Sequence, residues 1–335
     1  MGNMFLITDL QESGISIVLG SFNRLKFLKL TIKSIRDELE LSGIPYEIIV
    51  VDGGSNDGTI KWLSKQKDII TIIQHNRGEW KNKPIPRRSW GYFINLGFRS
   101  AHGKYVCMLS DDCLVIPNAL INGYNFFNNE LAKGTKCGAV PFFWRDWPIK
   151  EEYALNLCYG IINLNHGMYL RSALEKVGFA DEETYQFYRG DVDIIFKLIN
   201  IGYTISPAYN SYIDHYSHAN VSNRASNLII SKKDNENFIK KWKEMGTNIL
   251  SLDWNRGDEV INQIYHDPAK TVKLYYPYCT TYRLGKVFME IWREIRDTFG
   301  ESRLNKLGLE RIKKELDKTD NLHLKKFEYL VYNIK

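Results

Sequence analysis

Cysteine is sparse: Cys107, Cys113, Cys137, Cys158 and Cys279 are all that 335 residues contain. An odd number with no Cys-x-x-Cys pair offers neither a disulfide framework nor a zinc-finger pattern, and it fits a reducing compartment. No apolar run is long enough to cross a bilayer. The opening MGNMFLITDLQESG has no basic stretch ahead of an apolar one and carries acids, so it does not read as a secretory signal. Met1-Gly2 is followed at position 6 by Leu6, where a myristoylation start needs Ser or Thr. There is no Walker loop and no Gly-x-Gly-x-x-Gly fingerprint. The basic residues are scattered, without the aromatic motif of an RNA-recognition fold, so no nucleic-acid partner is expected.

What is present is an ordinary soluble composition, rich in aromatics, with a net charge of +6. That charge is unevenly placed. Residues 1–219 hold 23 basic and 23 acidic side chains, whereas residues 220–335 hold 22 and 16. The neutral part reads as the chemical one, and the basic part as an addition that meets something anionic or simply carries solvated helices.

The stretch KYVCMLSDDCLVIP (Lys104 to Pro117) organises the rest. Tyr105 to Leu109 is a continuous apolar run, as expected of a strand buried on both faces. It ends in Asp111 and Asp112, which must emerge from that core. In an open α/β sheet, ligands bind where strands end. Adjacent carboxylates repel unless a cation joins them, and hard oxygen donors suit Mg²⁺ or Mn²⁺. A polar turn with Asp112 capping the next helix is the plainer alternative.

Earlier in the chain, Ile15 to Leu19 forms a strand that runs into Gly20-Ser21-Phe22-Asn23-Arg24. Leu25, Leu28, Ile32, Ile35 and Leu39 then share one helical stripe, with Ser21 or Asn23 placed to cap it. Tyr46 to Val51 is a second strand ending at Asp52, followed by the turn Gly53-Gly54-Ser55-Asn56-Asp57-Gly58 and a short helix. Ile69 to Ile73 is a third strand, and this βαβαβ order implies a parallel, doubly wound sheet. An acid at a strand end, then glycines and a helix start, can hold a nucleotide: Asp52 accepts hydrogen bonds, and Gly54 lets the ligand approach the backbone. The basic loop Asn76 to Pro86 suits a diphosphate. A helix over Pro86–His102 carries Gly97 and Ala101 for close packing on the sheet. Beyond Gly138 the strands Ala139–Trp144 and Leu155–Leu164 flank an aromatic loop. A helix then begins with Asp191 and Asp193; the helix dipole accounts comfortably for Asp193, less so for both. Tyr212 to His218 sets two histidines beside Asp214.

The segments ISIVLGSFNR, YEIIVVDGGSNDGT, NLGFRSAHGKYVCMLSDDCLVIP, GMYLRSALEKVGFADE, RGDVDIIFKLINIGY and IDHYSHANVS together resemble the family-2 inverting glycosyltransferases. They occur in that family's order from about residue 15 to residue 222. The resemblance implies a GT-A fold: a Rossmann-like, mostly parallel sheet flanked by helices. It implies a catalytic domain over 1–222, with a nucleotide-binding half at about 15–117 and an acceptor half at about 118–222. A mainly helical extension would follow over 223–335.

The same resemblance implies roles for individual residues. Asp52 contacts the base or ribose of a nucleotide-diphosphate sugar, with Ser21, Asn23 and Gly54 around it. Ser110-Asp111-Asp112 stands for the Asp-x-Asp element, with Asp112 on the metal and Asp111 near the ribose or a metal-bound water. Ser110 replaces the first acid of many members. Asp191 matches the catalytic base, although the usual Glu-Asp pair is here Gly190-Asp191. His215 completes the metal or diphosphate site, with His218 as the alternative. Mn²⁺ or Mg²⁺, with Arg87 or Arg88, would stabilise the departing diphosphate. The acceptor would be a hydroxyl on a glycan or lipid-linked precursor, in the cytoplasm or at the inner face of the membrane.

Other readings remain at this point. A sugar nucleotidyltransferase would share the sheet, but Gly20-Ser21-Phe22-Asn23-Arg24 lacks the glycine-rich loop of that class. Ser110 and Gly190 also allow a degenerate binding scaffold. The apolar stripe Leu284, Val287, Phe288, Ile291, Ile295 and Phe299 lies among arginines and lysines. It suits packing or self-association through 280–335, or contact with an anionic membrane.

Overall fold

The computed structural model describes residues 6–76, 78–146, 152–216, 221–245, 252–254 and 258–265. The first half runs α1 (Ile7–Ser13), β1 (Ile15–Ser21), α2 (Leu25–Leu39), β2 (Tyr46–Asp52), α3 (Thr59–Leu63) and β3 (Ile69–Ile73). A small hairpin, β4 (Glu79–Trp80) and β5 (Lys83–Pro84), leads to α4 (Trp90–Ser100), β6 (Tyr105–Ser110) and β7 (Cys113–Val115). The second half has α5 (Ala119–Ala132), β8 (Cys137–Asp146), β9 (Glu152–Cys158), β10 (Ile161–Ile162), β11 (Gly167–Leu170) and α6 (Arg171–Lys176). It continues with α7 (Gly190–Asn200), β12 (Thr204–Ile205), β13 (Ala208–His215), α8 (Val221–Met245) and β14 (Asp258–Tyr265).

The apolar strands are apolar because both of their faces are covered. Ile15, Ile17 and Leu19 of β1 pack with Leu28, Ile32, Ile35 and Leu39 of α2 on one side. Val18, Ile49, Val106 and Met108 pack with Ile94 and Phe98 of α4 on the other. Alternate residues therefore serve opposite layers. Burying each large aliphatic side chain stabilises by about 1.5–3 kcal/mol over leaving it exposed. Gly97 sets the α4 spacing, since a Cβ there would sit 2.4 Å from a methyl of Val18.

The sheet order is β10-β9-β8-β11-β6-β1-β2-β3. β3, β2, β1 and β6 are parallel, as the βαβ pattern predicts. The sheet as a whole is mixed, because β11 enters antiparallel between β6 and β8. β13 then runs parallel to β8 and antiparallel to β7, with His215 opposite Cys113. That register, not proximity in sequence, carries His215 to the aspartate turn.

Beyond residue 222 the described residues hold most of α8 and the strand β14; the rest of the expected extension lies outside them. Phe238 and Trp242 of α8 are fully buried in the core shared with α7. β14 was not expected, since no alternation singles it out. It pairs along β9, whose bridge to β8 is only Trp144 with Ala154, and so supplies partners to an otherwise open edge. The stripe over 284–299, and any contact made through 280–335, lie outside the described residues.

Candidate active site

β1, β2 and β6 end side by side: Ser21 is in register with Asp52, and Gly20 with Ser110. Asp52 is fully buried and bound by its own turn. Its Oδ1 accepts the backbone N–H groups of Gly54 and Ser55 at 2.9 and 2.7 Å, and its Oδ2 accepts the Ser55 hydroxyl at 2.7 Å. Asn23 joins this turn to the first. Its N–H donates to Ser55 Oγ, and its Oδ1 accepts from the Asn56 amide, each at 2.8 Å. Gly54 has φ +89°, and a Cβ there would lie 2.4 Å from the His75 ring. Ser21, Asn23, Asp52 and Gly54 thus form one rigid rim, with His75 against it.

Asp111 and Asp112 follow at the end of β6 and are buried. One nitrogen of Arg24, Nη1, donates to Asp111 Oδ1 at 2.9 Å and to Asp112 Oδ2 at 2.8 Å. Thr31 reaches the carbonyls of Asp111 and Cys113 at 3.0 and 2.6 Å, which fixes the turn from α2. Burial raises both acids. At Asp112, Arg24 and His215 outweigh it and hold the carboxyl well below its usual range. At Asp111 burial prevails over Arg24, with the Asp112 charge adding, and the pKa is pushed up to about 6. Arg24 was passed over in the sequence, although it stands in the quoted SFNR motif. Arg87 and Arg88 lie exposed on the loop before α4, and the Arg88 guanidinium sits 5.0 Å from the Tyr92 ring centroid.

His215 Nε2 is 3.3 Å from Asp112 Oδ1. Its ring meets those of His166 and Trp144 edge-on, at 5.0 and 5.5 Å between centroids. Beneath it Arg145 and Asp214 form a buried two-point ion pair at 2.6 and 3.1 Å, and Tyr153 donates to Asp214 at 2.8 Å. That pair ties β8 to β13 and fixes the strand that carries His215. His218 lies outside the described residues.

Asp111 Oδ2 is buried with no hydrogen-bond partner among the described residues, and Asp112 Oδ1 has only His215 Nε2 near it, at 3.3 Å. Bare buried polar atoms cost about 1–3 kcal/mol each. Two carboxylate oxygens and an imidazole nitrogen are a donor set that a divalent cation satisfies. The residues present fit such an ion.

Asp191 opens α7, just after Arg189 at φ +69°. Its Oδ2 accepts from Asn163 Nδ2 at 3.2 Å and its Oδ1 from the Val192 amide at 2.9 Å. Burial raises its pKa above the ordinary aspartate value, against the pull of those two donors. Arg189 is held by Asp258 of β14 through two bonds of 2.8 and 3.0 Å. Gly190, where the resemblance expects an acid, has a packing reason: a Cβ there would lie 2.8 Å from the Trp90 ring. The segment leading in is clamped by α8, where Asp234 accepts the amides of Gln186, Phe187 and Tyr188 at 2.8–2.9 Å. Asp193, which helix-dipole reasoning treats as a capping acid, is instead a buried hub. It accepts from Tyr185 and Trp242 at 3.0 Å each and pairs with Lys241 at 2.8 Å.

One short segment links the two groups of acids. Asn163 touches Asp191, and three residues on, His166 contacts Cys113 and His215. Three residues span at most about 11 Å. The base candidate and the aspartate–histidine cluster are therefore joined through one short stretch of chain. Asn163, His166, Arg189 and Asp234 carried no local sequence signal, because each acts on a partner distant in the chain.

The family model described as Glycosyl transferase family 2 matches residues 16–182. Chondroitin synthase of Escherichia coli is 30% identical over 111 residues, which is 32% of this chain and 14% of that protein. Poly(ribitol-phosphate) beta-N-acetylglucosaminyltransferase TarP of Staphylococcus aureus is 28% identical over 114 residues, 33% of this chain and 32% of that one. The matched stretch is thus no more than about a third of these relatives' length. The mannosyltransferase PcManGT from Pyrobaculum calidifontis, solved with GDP-Man and Mn²⁺, superposes with a TM-score of 0.50 at 16% identity, over 94% of this chain and 83% of that one. That likeness is one of fold. Through residues 16–182, and with a mixed sheet between helical layers, the chain belongs to glycosyl transferase family 2 and has the GT-A type of fold.

Proposed function

We propose that the chain transfers a sugar from a nucleotide-diphosphate sugar to an acceptor hydroxyl, inverting the anomeric centre. The observation that supports this reading is the short Asn163–His166 segment, which touches Asp191 at one end and the ring of His215, beside Asp112, at the other. One direct displacement needs both: a base on the acceptor side and charge stabilisation on the leaving-group side.

Asp191 takes the acceptor proton as the new bond forms, and its raised pKa makes it a better base than a surface aspartate. Asn163 orients that carboxylate, and Arg189 with Asp258 holds the helix start. Asp52, Asn23, Ser21 and Gly54 form the rim against which base and ribose lie. Asp112 and His215 hold a divalent ion, with Asp111 beside it, and when bound that ion neutralises charge on the diphosphate. Arg24 keeps the two carboxylates converged, and Arg87 and Arg88 offer cations from the loop. We assign the donor half to about 15–117 and the acceptor half from 118 onward, extended past 222 through α8, because Asp234 and Lys241 hold acceptor-side elements. The acceptor is a glycan or lipid-linked hydroxyl. No helix among the described residues is long and apolar enough to cross a membrane, and we place the reaction in the cytoplasm, in solution or at the membrane face.

The test is a screen of UDP- and GDP-sugars by calorimetry with and without Mn²⁺, followed by NMR of the product anomer. Metal-dependent donor binding that disappears in Asp112→Asn, with an inverted product, supports the reading. Tight nucleotide binding with no turnover on any acceptor makes the chain a scaffold. A retained configuration overturns the displacement mechanism.

A further inference from the structure

We propose that Cys113, His166 and His215 form a binding site for a soft divalent transition ion of the zinc type, which shares only the His215 ring with the hard-ion donor set of the aspartate pair. One potential ligand atom from each of the three lies within 4.8 Å of the other two. Cys113 Sγ is 3.7 Å from His166 Nε2. Two ligands on one tetrahedral zinc, with bonds of about 2.3 Å to sulfur and 2.0–2.1 Å to nitrogen, stand about 3.5 Å apart. The pair is therefore already near ligand spacing without an ion.

Three more features fit. Cys113 and His166 are 1% and 2% exposed, and the only side-chain hydrogen-bond contacts of His166 among the described residues are those with the weakly bonding thiol. His215 turns Nε2 toward Asp112, and its Nδ1 is buried without a hydrogen-bond partner among the described residues. A carboxylate on the far nitrogen of an imidazole is the usual support of a metal-bound histidine. The ligands come from β7, the β10–β11 segment and the end of β13, so three separate elements converge. This is also why cysteine spacing gave no hint of it. Sulfur with imidazole prefers zinc-type ions over Mg²⁺ or Mn²⁺. On binding, the Cys113 S–H bond breaks, its proton goes to solvent, and the sulfur–metal bond forms with no change of oxidation state. The assignment rests on this donor set alone and does not require the transferase reading.

The experiment uses the full chain, stripped with chelator and titrated with Co²⁺ while absorption is recorded. A thiolate-to-cobalt charge-transfer band in the near ultraviolet, with the intense visible bands of a four-coordinate ion, is expected, and Zn²⁺ should displace both. Cys113→Ser should abolish the charge-transfer band. His166→Gln should weaken Co²⁺ by at least about tenfold, a loss typical of a missing ligand or its support. Circular dichroism establishes that each variant is folded. If Cys113→Ser does not fold, His166→Gln and Cys113→Ala decide the matter by the same readout. A wild-type spectrum showing only weak, six-coordinate bands overturns the site. So does a charge-transfer band that survives replacement of Cys113.

Discussion

Asp52 and Asp191, the two acids that the proposed function places on donor and acceptor, are held in opposite ways. Asp52 is fixed by Gly54 and Ser55, two and three positions along the chain. Asp191 is steadied by Asn163, 28 positions away, and by a preceding segment tied to Asp234 and Asp258. The proposed donor half is built from turns that close locally, and the proposed acceptor half from pairs that exist only once the whole molecule has folded. Damage to the first should therefore stay local, and damage to the second should spread.

The largest expected effect lies at Asp191. Asp191→Asn removes the proton acceptor and should lower kcat by about 10²–10⁴-fold, with little change in donor affinity measured by calorimetry. In the unaltered protein, the rate should fall as pH drops through the raised Asp191 pKa, so its acid limb lies above that of an ordinary aspartate. A kcat that survives in Asp191→Asn would break the division of labour between the halves.

Asp234→Ala comes next. It leaves three amides without their acceptor and should cost about 2–3 kcal/mol in denaturant unfolding. Because those amides precede Asp191, kcat should fall with KM for the donor unchanged. The donor-half counterpart is Gly97→Ala, which forces a Cβ against Val18 and should cost about 1–3 kcal/mol with kcat per folded molecule intact. Equal kinetic consequences from the two variants would erase the contrast.

The smallest effect concerns Glu38 of α2. Burial pushes its pKa up to about 7, against the pull of the amides at the start of α5. The folded state thus binds this proton more tightly than the unfolded chain does. Its contribution to stability is present at low pH and is lost between the ordinary glutamate value and about 7. Glu38→Gln should therefore raise the melting temperature by a few degrees at pH 8 and leave it unchanged near pH 4. A gain at both pH values would show that the effect is not one of ionisation.

The same contrast governs what could be read in advance. The parallel strands, the stripe on α2 and the acids at strand ends all declare themselves within short windows, and the structure places them where those windows indicate. β14 did not declare itself, because its reason for existing is the open edge of β9, far back in the chain. Arg24 sat in view within a known motif, but its role depends on the Asp111–Asp112 turn, 87 positions on. Gly190 reads in the sequence only as a missing acid beside Asp191, whereas in the fold Trp90 fills the space a side chain there would need. Cysteine spacing offers no zinc pattern, and spacing along the chain cannot see His166 and His215, which other segments bring near Cys113.

The bond between Arg189 and Asp258 has a consequence for biosynthesis. A nascent chain emerges from the ribosome N-terminus first, and its early parts fold first. The donor rim can close as soon as its own turns are out. The start of α7 cannot be locked, nor the flank of β9 covered, until position 258 has followed. A stalled or prematurely terminated polypeptide would therefore be able to grip a nucleotide long before it held its proton acceptor in place.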